Sequence, residues 1–100
     1  GIKLPDIQKD IKSNYAYFPV LFDDFYLTRD EVCEKLQNNN IYARKYFYPL
    51  TNNFGCYQGK FNSDETPVAK YIADRILTLP LYADLEIEEV DKICSIIKQM

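Results

Sequence analysis

One hundred residues, 47% hydrophobic, 15% aromatic and 27% charged, leave room for one domain with one modest core. Nine Tyr and six Phe occur with no Trp and no His, so a Ser-His-Asp triad, a Cys-His pair and a histidine metal ligand are all excluded within the chain. Twelve Lys and Arg against fifteen Asp and Glu give a net charge of −3, which argues against a nucleic-acid backbone as partner, and no apolar run is long enough to span a membrane.

Residues 1–14 read as a polar lead-in. Ile7 and Ile11 have the spacing to share one face of a short helix after Pro5. The aromatic and β-branched run 15–22 has the composition of a strand, and Pro19, with no N–H to donate, predicts an edge strand or a bulge. Thr28-Arg29-Asp30-Glu31 is a capping box, in which the Thr oxygen takes the Glu amide and the Glu carboxylate reaches back. A helix with Val32, Cys33 and Leu36 on its buried face follows, ended by Asn38-Asn39-Asn40 because Asn tolerates the left-handed conformation of a C-cap.

Residues 41–48 predict a second strand, with Ile41, Ala43, Lys45 and Phe47 on one face and Tyr42, Arg44, Tyr46 and Tyr48 on the other. Residues 51–66 form a loop with three aromatics, Phe54, Tyr57 and Phe61, that a chain this short has difficulty sheltering. Pro67 opens a second helix with Val68, Ile72 and Ile76 along one face and Tyr71 beside them. Ile76–Leu79 is a short strand stopped by Pro80. A last helix from about Glu86 places Ile87, Val90, Ile93, Cys94 and Ile97 on one stripe. The resulting order, β-α-β-loop-α-β-α, is an α+β fold: a small three-stranded sheet with about three helices. The first two strands pair in parallel through a right-handed crossover and the third inserts antiparallel.

Cys33, Cys56 and Cys94 form no CxxC pair, and an odd number cannot close a full disulfide set. Cys33 and Cys94 are expected to be buried inert thiols, and a reducing cytoplasm fits. The acidic run Glu86, Glu88, Glu89 and Asp91 is best read as the solvated start of a helix, not a metal or acid/base site. The glycines never form a phosphate loop. Tyr42, Arg44, Tyr46 and Tyr48 are the constellation that best fits ligand chemistry, since an Arg among phenols can hold a carboxylate or phosphate and stack on a ring; strand propensity with a local ion pair explains the same residues.

Three stretches, Asn14–Phe22, Ile41–Leu50 and Ile76–Ile97, resemble in order and spacing the C-terminal segment of the DegT/DnrJ/EryC1/StrS aminotransferases. Arg29-Asp30-Glu31-Val32 lies where that family has its RDE helix, and Leu79-Pro80-Leu81-Tyr82 before an EEV-type helix is the most specific match. The resemblance implies the small C-terminal domain (15–100, after the 1–14 lead-in) of a fold-type-I enzyme that uses pyridoxal 5'-phosphate. Such an enzyme moves an amino group, usually from glutamate, to a nucleotide-linked keto-sugar. It implies an upstream large domain carrying the cofactor, a homodimer for the full-length protein and a cytoplasmic setting. No catalytic, cofactor-binding or metal residue falls in this chain, and the fragment alone is expected to be silent. Arg44, Tyr46 and Tyr48 become substrate-edge residues. Thr51 stands where many members of the family place a His, and the form from Arg44 to Leu50 resembles a distinct branch, so the resemblance names no particular sugar.

Because the sequence opens on Gly1 and not Met, it is expected to be either a cleavage product or an excised piece of a longer protein. The rival reading is a stand-alone ferredoxin-like binding or regulatory module. The two differ in surface chemistry: a domain separated from its partner exposes an aromatic and apolar patch, and an evolved module does not.

Overall fold

A computed structural model describes residues 1–14 and 16–98. Its elements are β1 (Ile2–Lys3), β2 (Phe18–Phe22), α1 (Arg29–Gln37), α2 (Pro67–Ala73), β3 (Ile76–Leu79) and α3 (Ile87–Lys98). The α+β class with three strands and three helices is as expected, but the strands are not the expected three. β2 lies between β1 and β3, and both pairings are antiparallel. No parallel pair occurs among the described residues.

The run 41–48 accounts for the difference. It meets the sheet only at Arg44, whose backbone exchanges hydrogen bonds of 3.0 and 2.7 Å with Thr78. Just before β3, Arg75 turns its carbonyl inward to Phe22, so Ile76 and Thr78 turn theirs to the outer edge. The Ile76 carbonyl there is already taken by the Arg29 guanidinium at 2.9 Å. A fourth strand therefore has nothing to continue along, and residues 45–48 curl into a turn closed by Tyr48 N–H on Lys45 O at 2.9 Å. Alternation of apolar residues cannot foresee an edge capped by a side chain from another element.

The lead-in contributes β1, and no helix forms over Ile7 and Ile11. β1 is short for a reason visible in its register. Lys3 faces Leu21, so two residues on Pro5 would face Pro19 and neither has an N–H to give. Pro19 is thus tolerated in a central strand because its missing donor points to a side that β1 has already left. Of the strand expected over 15–22, residues Phe18–Phe22 are in the ladder, and Tyr15 lies outside the described residues.

α1 begins as expected. Thr28 accepts the Glu31 amide at 3.2 Å and Glu31 accepts the Thr28 amide at 2.6 Å. It ends at the Asn run with Asn40 at φ 62°. Val32, Cys33 and Leu36 pack on Val20 and Phe22 of β2 and Leu77 of β3, with Ile93, Ile96 and Ile97 of α3 closing the core.

Two helix faces depart from expectation. On α2 only Ala73 is buried, while Val68, Tyr71 and Ile72 are exposed. On α3 the inward stripe is Ile93, Ile96 and Ile97, and Ile87, Val90 and Cys94 face out, so Cys94 is an exposed thiol and only Cys33 is buried. Both helices are apolar on more than one stripe, and periodicity does not say which stripe meets the sheet. The acidic start of α3 is a cap, as expected: the Glu89 carboxylate accepts the Glu86 amide at 3.1 Å. No group of described residues is arranged to hold a metal, and no described helix is long and apolar enough to cross a membrane.

Asp23, just past β2, ties three elements together. Its carboxylate receives the Tyr71 hydroxyl from α2, lies 3.3 Å from Lys3 Nζ of β1 and 3.5 Å from Arg75, whose guanidinium sits 3.9 Å over the Tyr71 ring. The Tyr71 hydrogen bond, with help from Lys3 and Arg75, holds the Asp23 carboxyl below its ordinary range, and the same bond raises the Tyr71 hydroxyl above its own. A lowered folded-state pKa adds stability above the ordinary carboxylate range that is lost as pH falls through the folded value, and the raised Tyr71 value adds stability lost as pH climbs through it. The stability gap between wild type and Asp23→Asn should thus be widest near neutrality and close at both extremes. Urea melts across the pH range measure that gap, and a constant gap would show that the Asp23 charge is not what ties the elements.

Candidate substrate-edge site

Arg44, Tyr46 and Tyr48 occupy the bridge and the turn that follows it. The Arg44 backbone is fixed on Thr78, and its side chain is exposed. One Nη1–H of Arg44 donates to the Tyr46 Oη at 2.6 Å, with the guanidinium 5.7 Å from the same ring. Arg carries five N–H donors in a planar fork, and one bond to a phenol orients that fork while leaving donors for an anion. Tyr46 is braced from two sides, edge-on by Tyr17 at 5.5 Å and stacked with Phe47 at 4.9 Å. Tyr48 lies apart from this pair: its ring is 5.1 Å from the Arg29 guanidinium. The structure therefore brings Arg44 and Tyr46 into direct contact and places Tyr48 at the other end of the same turn. Tyr42 is exposed on the approach to the bridge.

Around this turn lie residues whose part the sequence did not disclose. Tyr17 links Tyr46 to an open cleft of about 580 Å³ that Leu4, Pro5, Ile7, Ile11 and Phe18 also line. Asp30 accepts Arg29 Nε at 2.6 Å and Lys45 Nζ at 2.8 Å. The Lys45 hydrogen bond, then that from Arg29, draws the Asp30 carboxyl below its ordinary range against the opposing effect of burial. One signal for Arg29 was present: a cation in the first turn of a helix opposes the helix dipole, so its presence there asks for another reason. Thr51 borders a second cleft of about 510 Å³ with Tyr57 and Phe61, whose rings meet edge to face at 5.5 Å.

The sequence profile of the DegT/DnrJ/EryC1/StrS aminotransferase family matches residues 1–98. The chain belongs to that family. Among its relatives, a dTDP-4-amino-4,6-dideoxy-D-glucose transaminase of Escherichia coli is 48% identical over 85% of this chain and 24% of its own length. A transaminase of the same name from Shigella dysenteriae is 39% identical over 100% of this chain and 27% of its own length. The chain thus spans about a quarter of the length of the curated relatives it matches. The solved structure of a protein assigned as a PLP-dependent aminotransferase from Bacillus cereus superposes with a TM-score of 0.78 at 28% identity, covering 99% of this chain and 26% of that one. A family member from Brucella abortus superposes at 0.76 with 23% identity over 97% of this chain and 25% of its own, which supports the fold.

Aminotransferases of this kind need a lysine to hold pyridoxal 5'-phosphate, and such a lysine works when desolvated or when neighbouring charge lowers its pKa. Every lysine among the described residues is exposed or half-buried, and Lys3, Lys45 and Lys70 are each ion-paired. Lys70 moves the wrong way, raised by the hydrogen bond and charge of Asp64. These lysines do not fit the cofactor role, and no step through the cofactor is derived from them.

Proposed function

We propose that this chain is the small C-terminal domain, with 1–14 as its lead-in, of a pyridoxal-phosphate sugar aminotransferase, and that the substrate is a dTDP-linked 4-keto-6-deoxy sugar aminated from glutamate. The observation that carries the reading is the 48% identity with the E. coli transaminase over 85% of the chain. Arg44, oriented by Tyr46, meets an anionic part of the nucleotide sugar, and Tyr46 and Tyr48 supply ring faces beside it. The cofactor and its lysine belong to an upstream large domain, in a cytoplasmic enzyme that acts as a homodimer.

Surface arithmetic favours this reading over a stand-alone module. The chain exposes 7821 Å², whereas a self-contained monomer of this mass exposes roughly 5,900 Å². The excess is more than the roughly 800 Å² that one partner buries in an ordinary protein interface. Its radius of gyration is 15.3 Å, against about 13 Å for a compact domain of this length. Much of the extra surface is apolar: Ile7, Phe47, Val68, Ile87 and Phe61 are all exposed.

The test uses the chain alone and a chimera. Mixed with pyridoxal 5'-phosphate, glutamate and a dTDP-4-keto-6-deoxy sugar, the isolated chain should leave the cofactor absorbance unchanged and form no amino sugar. Exchanged for the matching quarter of the E. coli transaminase, it should support formation of the amino sugar. Turnover by the isolated chain, or a folded chimera with no activity on that sugar, would overturn the proposal.

A further inference from the structure

The first turn of α1 grips both ends of the aromatic turn. Arg29 is only 3% exposed, an expensive place for a charge unless it is paired and hydrogen-bonded. Its Nη1 donates to Ala73 O at 2.8 Å and Ile76 O at 2.9 Å, tying down the end of α2 and the open edge of β3. Its Nε pairs with Asp30 at 2.6 Å, and the same guanidinium lies over the Tyr48 ring, 5.1 Å from its centroid. Asp30 extends the chain of contacts to Lys45 at 2.8 Å. Lys45 and Tyr48 are the two residues whose backbone hydrogen bond closes the turn carrying Tyr46 and Phe47. Two carbonyls and the Asp30 pair already satisfy the buried charge, and the contacts onward to Lys45 and Tyr48 are not needed for that. Here they hold one end of the turn through an ion pair and the other through a ring.

We propose that Arg29 and Asp30 are positioning residues for the substrate edge: through Lys45 and Tyr48 they set how the 45–48 turn presents Tyr46, and with it Arg44, to a nucleotide sugar. The inference rests on the substrate-edge reading of Arg44, Tyr46 and Tyr48. It separates two functions in one side chain, with the inner face of Arg29 serving the fold and its outer face and neighbour serving the ligand.

The experiment removes the contacts to the turn and leaves the Arg29 bonds to Ala73 and Ile76 in place. Lys45→Met cuts the ion pair to the turn while Asp30 stays paired with Arg29, Asp30→Asn removes the charge that both cations share, and Tyr48→Leu removes the ring. Arg29→Lys is the riskier fourth variant, since an ammonium cannot reproduce the fork. Two readouts apply: the ring resonances of Tyr46 in the selectively labelled chain, and steady-state kinetics of the aminotransferase bearing each change. The Tyr46 ring resonances should shift in Lys45→Met and Asp30→Asn, and KM for the dTDP-sugar should rise about two- to fivefold with kcat changed less than about twofold, the size expected of one partly exposed ion pair. Unshifted Tyr46 resonances would overturn the positioning role and leave the substrate-edge reading standing. Shifted resonances with an unchanged KM, while Arg44→Ala still raises KM, would show that the contacts serve only the fold. If Arg44→Ala has no effect either, the substrate-edge reading itself falls, and this inference with it.

Discussion

Leu36→Ala and Leu77→Ala should each lower the unfolding free energy by about 2–5 kcal/mol, the range for emptying a packed aliphatic site. Both side chains are 0% exposed, one in the last turn of α1 and the other on β3 opposite Val20. They join the two layers, so no neighbour can collapse into the space without moving the sheet or the helix. A domain of this size has about 5–15 kcal/mol in hand, and a chain that leaves so much apolar surface uncovered is placed at the low end. Either substitution should therefore populate the unfolded state measurably at room temperature. Urea titration followed by far-ultraviolet circular dichroism measures the loss. Val68→Ala and Ile87→Ala are the comparison: both residues are 70% exposed, and their cost should stay within about 0.5 kcal/mol. A cost above about 1 kcal/mol at either would mean that these faces are already covered, by self-association or otherwise.

That comparison also marks where sequence reading stops. Val68, Ile72, Ile87 and Val90 recur at helical spacings of three or four residues just as Val32, Leu36, Ile93 and Ile97 do, yet only the second group is buried. Spacing records that a helix has an apolar stripe and is silent about whether the partner lies in the same chain. Where the signal was local, it was legible: the Thr28–Glu31 box, the Asn40 stop, Pro67 at the first turn of α2 and Pro80 after β3 each act within a few residues of themselves. Where the cause was remote, it was not. Residues 41–48 have strand composition, but the edge they would join is held by Arg29, some fifteen residues earlier in the chain. β1 is the reverse case: two residues with no strand signature of their own pair with β2 because the sheet offers them an edge. The site was half legible. The alternation that grouped Arg44 with Tyr46 survives as a direct hydrogen bond even though the strand does not form, since residues two apart still meet across the start of the turn.

Arg44→Ala should have the largest effect on ligand binding of any exposed substitution in the chain. A guanidinium–phosphate contact is charge-assisted, and losing a bond of that kind costs about 1.5–3 kcal/mol, or roughly 10–100-fold in KM for a dTDP-sugar. The substitution is clean because what holds Arg44 to the sheet is backbone: both hydrogen bonds to Thr78 survive truncation of the side chain. Arg44→Lys keeps the charge and loses the planar fork, so it should recover only part of the loss. Tyr46→Phe removes the oxygen that accepts from Nη1 while keeping the ring between Tyr17 and Phe47, so it tests orientation alone and should raise KM by a few-fold at most. The order Arg44→Ala above Arg44→Lys above Tyr46→Phe, read by steady-state kinetics in the aminotransferase carrying this chain, is what an anion-holding edge requires. Equal effects from all three would point to disruption of the turn instead. A KM within twofold of wild type for Arg44→Ala, in an enzyme that still folds, would move the nucleotide elsewhere, with the Thr51 cleft and its Tyr57 and Phe61 rings as the next surface to probe.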